Sequence, residues 1–227
     1  QEMLNKFKAF SGVIFILFIL VGCKADKGEV TLYTSDIEDA LSGKVVEVPL
    51  KATFTIMGKD EENLLGKSTS IAKRYLSKGS KFSRSKSQFG ERLVIETKIP
   101  LSKNNSSYKK FIKENGKRAA VVGVFGKKLY FLVSKPGRKA LNEELKKINY
   151  MISLDKTIKR ASYRIVSDSR KKYKVSAYAV WVSGKPYLYY KKILGRRDEA
   201  LLTFKGDDGS IYSQLNHHII VEVVEKN

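Results

Sequence analysis

The chain's one cysteine, Cys23, and its two histidines, His217 and His218, carry the side-chain chemistry most readily read from these 227 residues. A thiolate is both nucleophile and soft metal ligand, but with Cys23 alone and near the start of the chain, thiolate metal sites and thiol catalysis in the body of the protein are excluded. The histidines are adjacent on an expected strand, where consecutive side chains point to opposite faces, so they are not expected to share a metal. Carboxylates gather at Asp36, Glu38 and Asp39, at Asp60-Glu61-Glu62 and at Asp207-Asp208. Glycoside chemistry needs two carboxylates facing each other across a cleft, and these groups read instead as solvated charges at helix starts and turns. The sequence has no phosphate-loop pattern, no Gly-x-Ser-x-Gly elbow and no dinucleotide fingerprint. The expectation is a protein that is not an enzyme, with no catalytic residue, metal site or dissociable cofactor.

The surroundings of Cys23 suggest another chemistry for its thiol. Leu20-Val21-Gly22-Cys23 closes the apolar run Ala9–Leu20, and Lys6 and Lys8 precede it. A run of about 12 residues fits the h-region of a cleavable signal, roughly 7–15 long, and falls short of the about 20 needed to span a bilayer. Lys24, Asp26, Lys27 and Glu29 stop it from lengthening. Gln1 and Glu2 precede Met3, which is the expected natural start. The segment resembles the lipobox family of bacterial type II signal peptides, with Leu20, Val21 and Gly22 as recognition residues and Cys23 in the lipid-modified position. The resemblance implies cleavage before Cys23, a diacylglycerol on the thiol and an acyl chain such as palmitate on the new amino terminus. Two chains suffice for stable anchoring, each buried methylene contributing about 0.8 kcal/mol. In that family an aspartate after the cysteine favours inner-membrane retention. Lys24 in its place implies the outer membrane, with the protein facing the periplasm.

Charge is the second signal. Residues 1–22 contain Glu2, Lys6 and Lys8, a net +1, so Cys23–Asn227 keeps +20 of the chain's +21. Such an excess draws in anionic ligands and speeds encounters with them. Lipid headgroups, lipopolysaccharide phosphates and acidic proteins all match, and the envelope makes nucleic acid the least available. From Lys67 to Arg92, Lys73, Arg74, Lys78, Lys81, Arg84 and Lys86 stand among serines and read as a basic loop after a short helix. Together with Arg170, Lys171 and Lys172 they are the candidate residues for an anionic surface. The competing reading is solubility alone.

The elements that must position these groups mix two periods. Alternating apolar residues predict strands over Glu29–Tyr33, Lys44–Met57 and Glu91–Leu101, with Pro49 at a bulge or an edge. Thr34-Ser35-Asp36 begin a short helix that ends at Gly43. Further helices are expected over Glu61–Ser77, Ser106–Asn115 and Pro136–Asn149, the last from the spacing of Leu141, Leu145 and Ile148. Arg118–Ser134 reads as a hairpin. Strands at Thr157–Val166, Lys174–Val182, Pro186–Leu194, Ala200–Phe204 and His218–Val224 follow, with a tight turn at Ser183-Gly184. The expected fold is α+β: an antiparallel, sheet-rich mature domain with a few helices, its C-terminal half mostly an antiparallel meander. The divisions are a signal peptide (1–22), a lipidated tether (23–28), a mixed α/β portion (29–149) and an antiparallel β portion (150–227), the last two able to form one domain. Without disulfides, stability must come from a core, and 42% hydrophobic residues supply one.

Tyr173, Tyr178, Trp181, Tyr187, Tyr189 and Tyr190 concentrate in one expected hairpin among lysines. Strict alternation puts Tyr178 and Val180 on one face and Ala177, Ala179 and Trp181 on the other. Tyrosines beside basic residues suit protein surfaces and headgroup interfaces, although core packing of the rings is the simpler account. The leading expectation is a membrane-anchored envelope lipoprotein that binds, without catalysis, an envelope protein or an anionic envelope polymer. The alternatives are a structural component of an envelope assembly, a receptor-blocking lipoprotein of a phage or mobile element, and an uncharacterised hydrolase.

Overall fold

The computed structural model describes residues 24–56, 61–87, 90–103, 105–115, 120–125, 128–133, 135–148, 160–205 and 221–226. In chain order the elements are β1 (Lys24–Tyr33), α1 (Thr34–Leu41), β2 (Val46–Ile56), α2 (Glu61–Ala72) with a 3₁₀ turn at Lys73–Tyr75, β3 (Lys81–Ser87), β4 (Gly90–Ser102), α3 (Asn105–Asn115), β5 (Ala120–Phe125), β6 (Lys128–Val133), α4 (Lys135–Ile148), β7 (Arg160–Val166), β8 (Lys172–Val182), β9 (Lys185–Leu194), β10 (Glu199–Lys205) and β11 (Val221–Lys226).

Period-two patterning builds the core. Val30 and Leu32 of β1, Val48 of β2, Ile99 and Leu101 of β4, Tyr163 and Ile165 of β7, and Ala200 and Leu202 of β10 all turn into one buried cluster. Full burial of a leucine such as Leu202 contributes about 1.5–3 kcal/mol. Polar partners in the same strands, among them Glu47, Lys51, Glu96 and Lys98, stay exposed. Pro49 lies one residue beyond the last β1–β2 pair, Val30↔Leu50, so its missing N–H deprives no β1 residue of a partner. The bulge in this region falls instead between Ala25 and Lys27. A second, smaller cluster joins Tyr75 to Leu141 and Leu145 of α4, the spacing that marks this helix in the sequence.

The architecture corrects the expected α+β fold with an antiparallel sheet. Among the described residues, strands take 57% and helices 28%, and all strands belong to one mixed sheet that is nearly closed into a barrel. Its order is β10-β7-β1-β2-β4-β5-β6-β11-β8-β9, with β3 on β4 and a closing contact of β10 with β8. The pairs β1–β7 and β4–β5 are parallel. Nor is the C-terminal half a meander, because β7 and β10 lie beside β1 while β8, β9 and β11 lie at the other end of the order. The turn after β9 explains the split. Arg197 N–H donates to the Ser167 carbonyl (2.8 Å) and Ser167 N–H to the Asp198 carbonyl (2.9 Å), so the chain is tied to the end of β7 before β10 begins.

Two local expectations also change. The basic stretch after α2 is not a loop from Lys81 onward but strand β3, because Phe82 alternates with serines and packs on Leu93 and Ile95 of β4. Strand β1 begins at Lys24, so residues 24–28, read as a tether, are already paired with β2.

In β8, alternation runs through Tyr173, Val175 and Ala177, all buried, and then slips. Val180 is 1% exposed while Tyr178 is 65% exposed, although strict alternation puts them on one face. The cause is Ala179, whose φ of 48° is left-handed. This φ turns Val180 inward and sets Trp181 against Thr203 of β10, the pair that closes the sheet. A left-handed conformation costs a residue with a Cβ about 1–2 kcal/mol. Ala179→Gly is therefore expected to stabilise the protein by about 0.5–1 kcal/mol, after its loss of chain entropy is subtracted, and Ala179→Val to destabilise it by about 1–2 kcal/mol or more. Urea unfolding checks both values, and equal stability of the alanine and valine forms would contradict the assignment.

Candidate interaction surface

Hairpin β8–β9 turns at Ser183 (φ 49°) and Gly184 (φ 81°), the two positive values of a type I′ turn, whose twist matches that of paired strands. Beyond this turn the hairpin leaves the core. Tyr187, Leu188 and Tyr189 are 40%, 85% and 46% exposed, and Ile193 is 42% exposed. The Tyr178 and Tyr189 rings lie 4.8 Å apart at 42°, and Tyr187 meets Tyr190 edge-on at 5.7 Å. These contacts hold the rings at fixed positions on the surface. Lys172, Lys174, Lys185, Lys191 and Lys192 stand on the same two strands, which hold no carboxylate. Near the turn, Lys205 Nζ sits 3.4 Å from the centre of the Trp181 ring, a cation–π contact.

A row of residues that crosses the sheet has matched charge. This row of cross-strand partners runs Lys81, Glu96, Lys51, Glu29, Ser162, Thr203, Trp181, from β3 through β4, β2, β1, β7 and β10 to β8. Along it Lys51 pairs with Glu96 (2.9 Å), Lys27 with Glu29 (2.9 Å), and Arg164 with both Glu29 (3.1 Å) and Glu199 (2.8 Å). Burial pushes the Glu29 carboxyl up, but hydrogen bonds from Lys27 and Arg164 outweigh it and leave Glu29 below its ordinary range.

The nine basic residues singled out in the sequence fall on separate elements. Lys73 and Arg74 are in the 3₁₀ turn, where Lys73 lies over the Phe82 ring at 5.5 Å and Arg74 pairs with Glu144. Lys78 is exposed in the following turn. Lys81, Arg84 and Lys86 are on β3, with Lys81 opposite Glu96 and Lys86 opposite Glu91. Arg170, Lys171 and Lys172 lie where β8 begins, and Lys171 pairs with Glu38 (3.0 Å) and Glu225 (3.2 Å). Much of this charge is thus met by carboxylates within the fold. Leu20, Val21, Gly22 and Cys23 lie outside the described residues, as do His217, His218, Asp207 and Asp208. Ile193 and Lys205 are surface residues that the sequence reading passed over. For Ile193 the signal is the segment Lys185–Leu194, in which neither alternate set of side chains is uniformly apolar.

The expected acidic group on α1 is structural. Asp168, from the turn after β7, accepts hydrogen bonds from Thr34 Oγ1 (2.8 Å) and the Ser35 N–H (3.1 Å), and also from the Ser35 hydroxyl. A carboxylate there also complements the positive end of the helix dipole. Tyr173 Oη donates to Glu38 at 2.6 Å. Among the described residues no group of three or more His, Cys, Asp or Glu is placed to hold a metal ion. Nor is any helix of the described residues long and apolar enough to cross a membrane.

Fold and surface together define a mainly β protein with a nearly closed mixed sheet and an aromatic and basic hairpin at its edge. A family model described as "Domain of unknown function (DUF7424)" matches residues 27–217, and the chain belongs to that family. No curated protein matches it.

The Tyr173 hydroxyl, against the opposing effect of burial and with help from Lys171, holds the Glu38 carboxyl below its ordinary 4.5. A depressed carboxylate pKa stabilises the fold above the ordinary value, and that contribution is lost as pH falls through the folded value. Tyr173→Phe is expected to cost about 1 kcal/mol at neutral pH, with allowance for solvent screening at Glu38. The gap between mutant and wild type should shrink as pH drops below 4.5. Urea titrations at neutral and acid pH check this, and a gap independent of pH would contradict it.

Proposed function

We propose that the protein is a lipid-anchored envelope protein, held by Cys23 and acting as a binding module rather than a catalyst, with hairpin β8–β9 as its contact surface. The observation that carries the reading is the hairpin itself: exposed tyrosines and leucine beside five lysines, on two strands without a carboxylate. Surface aromatics contribute large contact areas at low entropic cost, and neighbouring lysines steer anionic partners to them. The lipobox resemblance gives the anchor, with Lys24 favouring the outer membrane and the periplasmic side. A strand that begins at Lys24 keeps the domain close to its lipid.

Two changes in the full-length chain, expressed in a bacterial host, test the two parts of this reading. Cys23→Ser is expected to abolish incorporation of labelled palmitate and to release the protein from the membrane fraction. Retention without any lipid labelling in the wild type refutes the anchor. Reversal of Lys185, Lys191 and Lys192 to glutamate is expected to lower salt-sensitive retention on envelope extracts by about tenfold or more. Unchanged retention refutes the hairpin as the contact surface. A stoichiometric partner that resists high salt and ignores these changes supports instead a structural role in an assembly.

A further inference from the structure

We infer that the partner of the hairpin is the surface of an anionic phospholipid bilayer, into which the β9 side of the hairpin inserts as a wedge. This narrows the binding role proposed above and rests on it. The first observation is shape. From Lys185 to Tyr189 every residue is exposed, Leu188 to 85%, and β9 ends the sheet order with β8 as its one paired strand among the described residues. An edge strand that leaves a large aliphatic side chain this bare, between aromatic rings, is suited to a medium that can envelop it.

The second observation is the layering of side chains. Leu188 and Ile193 are aliphatic, Tyr178, Tyr187 and Tyr189 have an apolar ring with a polar tip, and Lys185 and Lys191 extend a charge from a flexible stem. This is the order in which a bilayer interface offers its own groups: acyl chains, the headgroup layer that tyrosine favours, and phosphates. Charge complementarity points the same way, because no carboxylate on β8 or β9 repels an anionic lipid.

An extended acidic peptide added to the edge of β9 is the rival occupant, and the strand resists it. Pro186 has no N–H to give to a neighbour, and Lys185, Lys191 and Lys192 are the charges that protect natural sheet edges from pairing. Position also favours the bilayer. Trp181, Thr203, Ser162 and Glu29 are successive partners across β8, β10, β7 and β1. Three strand spacings, about 14 Å, therefore separate the turn end of the hairpin from Glu29, and the start of β1 at Lys24 lies five residues, about 17 Å, further along that strand. A lipid on Cys23 and a wedge on this hairpin are close enough to enter one membrane.

The test uses the full-length chain with vesicles of phosphatidylcholine alone, or mixed with phosphatidylglycerol, in both cases with brominated acyl chains. The apolar run Ala9–Leu20 can associate with either vesicle, so association is not the readout. Trp181 is the chain's one tryptophan and faces Pro186 across the hairpin, so its quenching by bromine reports the hairpin alone. Quenching is expected with the phosphatidylglycerol mixture and little with phosphatidylcholine. Lys185→Gln with Lys191→Gln should reduce the apparent affinity roughly thirtyfold, as each lysine near an anionic surface contributes on the order of fivefold. Leu188→Asp, at a site too exposed to affect folding, should abolish the quenching, and an unchanged urea midpoint confirms the fold. Unquenched Trp181 on bound anionic vesicles, or equal quenching on both vesicle types that survives Leu188→Asp, overturns the inference. If Trp181 stays unquenched while the glutamate reversals still lose retention on envelope extract, the contact surface stands and its partner is not lipid. If neither responds, the contact surface falls as well.

Discussion

Ala179 holds a φ of 48° in the middle of β8, and the closure of the sheet depends on it. An ordinary extended residue there leaves Val180 on the side of Tyr178 and brings Trp181 round to the side of Ala177. With the left-handed residue in place, Val180 is buried and Trp181 partners Thr203, so β10 meets β8 and the ends of the sheet come together. Tyr178 already faces outward by the alternation of Tyr173, Val175 and Ala177. The cost of the Ala179 conformation, about 1–2 kcal/mol, is offset by the apolar area that the turned-in Val180 buries.

The electrostatics follow from the sheet order. Where β3, β4, β2, β1, β7 and β10 lie side by side, residues far apart in the chain form a row of alternating charge, with Arg164 bridging Glu29 and Glu199. Exposed pairs of this kind contribute little stability individually. Their main effect is to neutralise one region of a strongly basic molecule. The field of the chain, +21 in all, is consequently stronger where lysines outnumber carboxylates, as on β8 and β9, which carry five lysines and no carboxylate of their own. A basic composition therefore becomes a directional property only after folding.

Much of the local structure was legible in the sequence, and most of the long-range order was not. The helix from Lys135 to Ile148 follows from the spacing of Leu141 and Leu145, and the Ser183-Gly184 turn from its residue types. Strand β3 was misread because six of its seven residues are serine, lysine or arginine, and the one apolar residue, Phe82, suffices to seat it on β4. The parallel pairing of β1 with β7 joins Gly28 to Ala161, a contact that no local pattern encodes. The antiparallel meander failed for the same reason, since the ties from Ser167 to Arg197 and Asp198 that divert β10 are backbone hydrogen bonds, indifferent to side-chain type. At the candidate surface, the aromatic and basic composition of the hairpin was visible, but strict alternation gave Val180 the wrong face. Alanine carries no sign in the sequence that it will adopt a positive φ.

Closure of the sheet through β8 and β10 is the feature that the Ala179 conformation produces. Native-state hydrogen exchange at single-residue resolution tests it most directly. Amides at Trp181 and Val182 and from Leu202 to Phe204 are predicted to exchange as slowly as those of Tyr163 and Ile165 in β7, while amides on the free edge of β9 between Tyr187 and Lys191 exchange far faster. Fast exchange at Trp181 and Thr203, the pair that closes the sheet, with β7 still protected, would mean an open sheet and contradict the account.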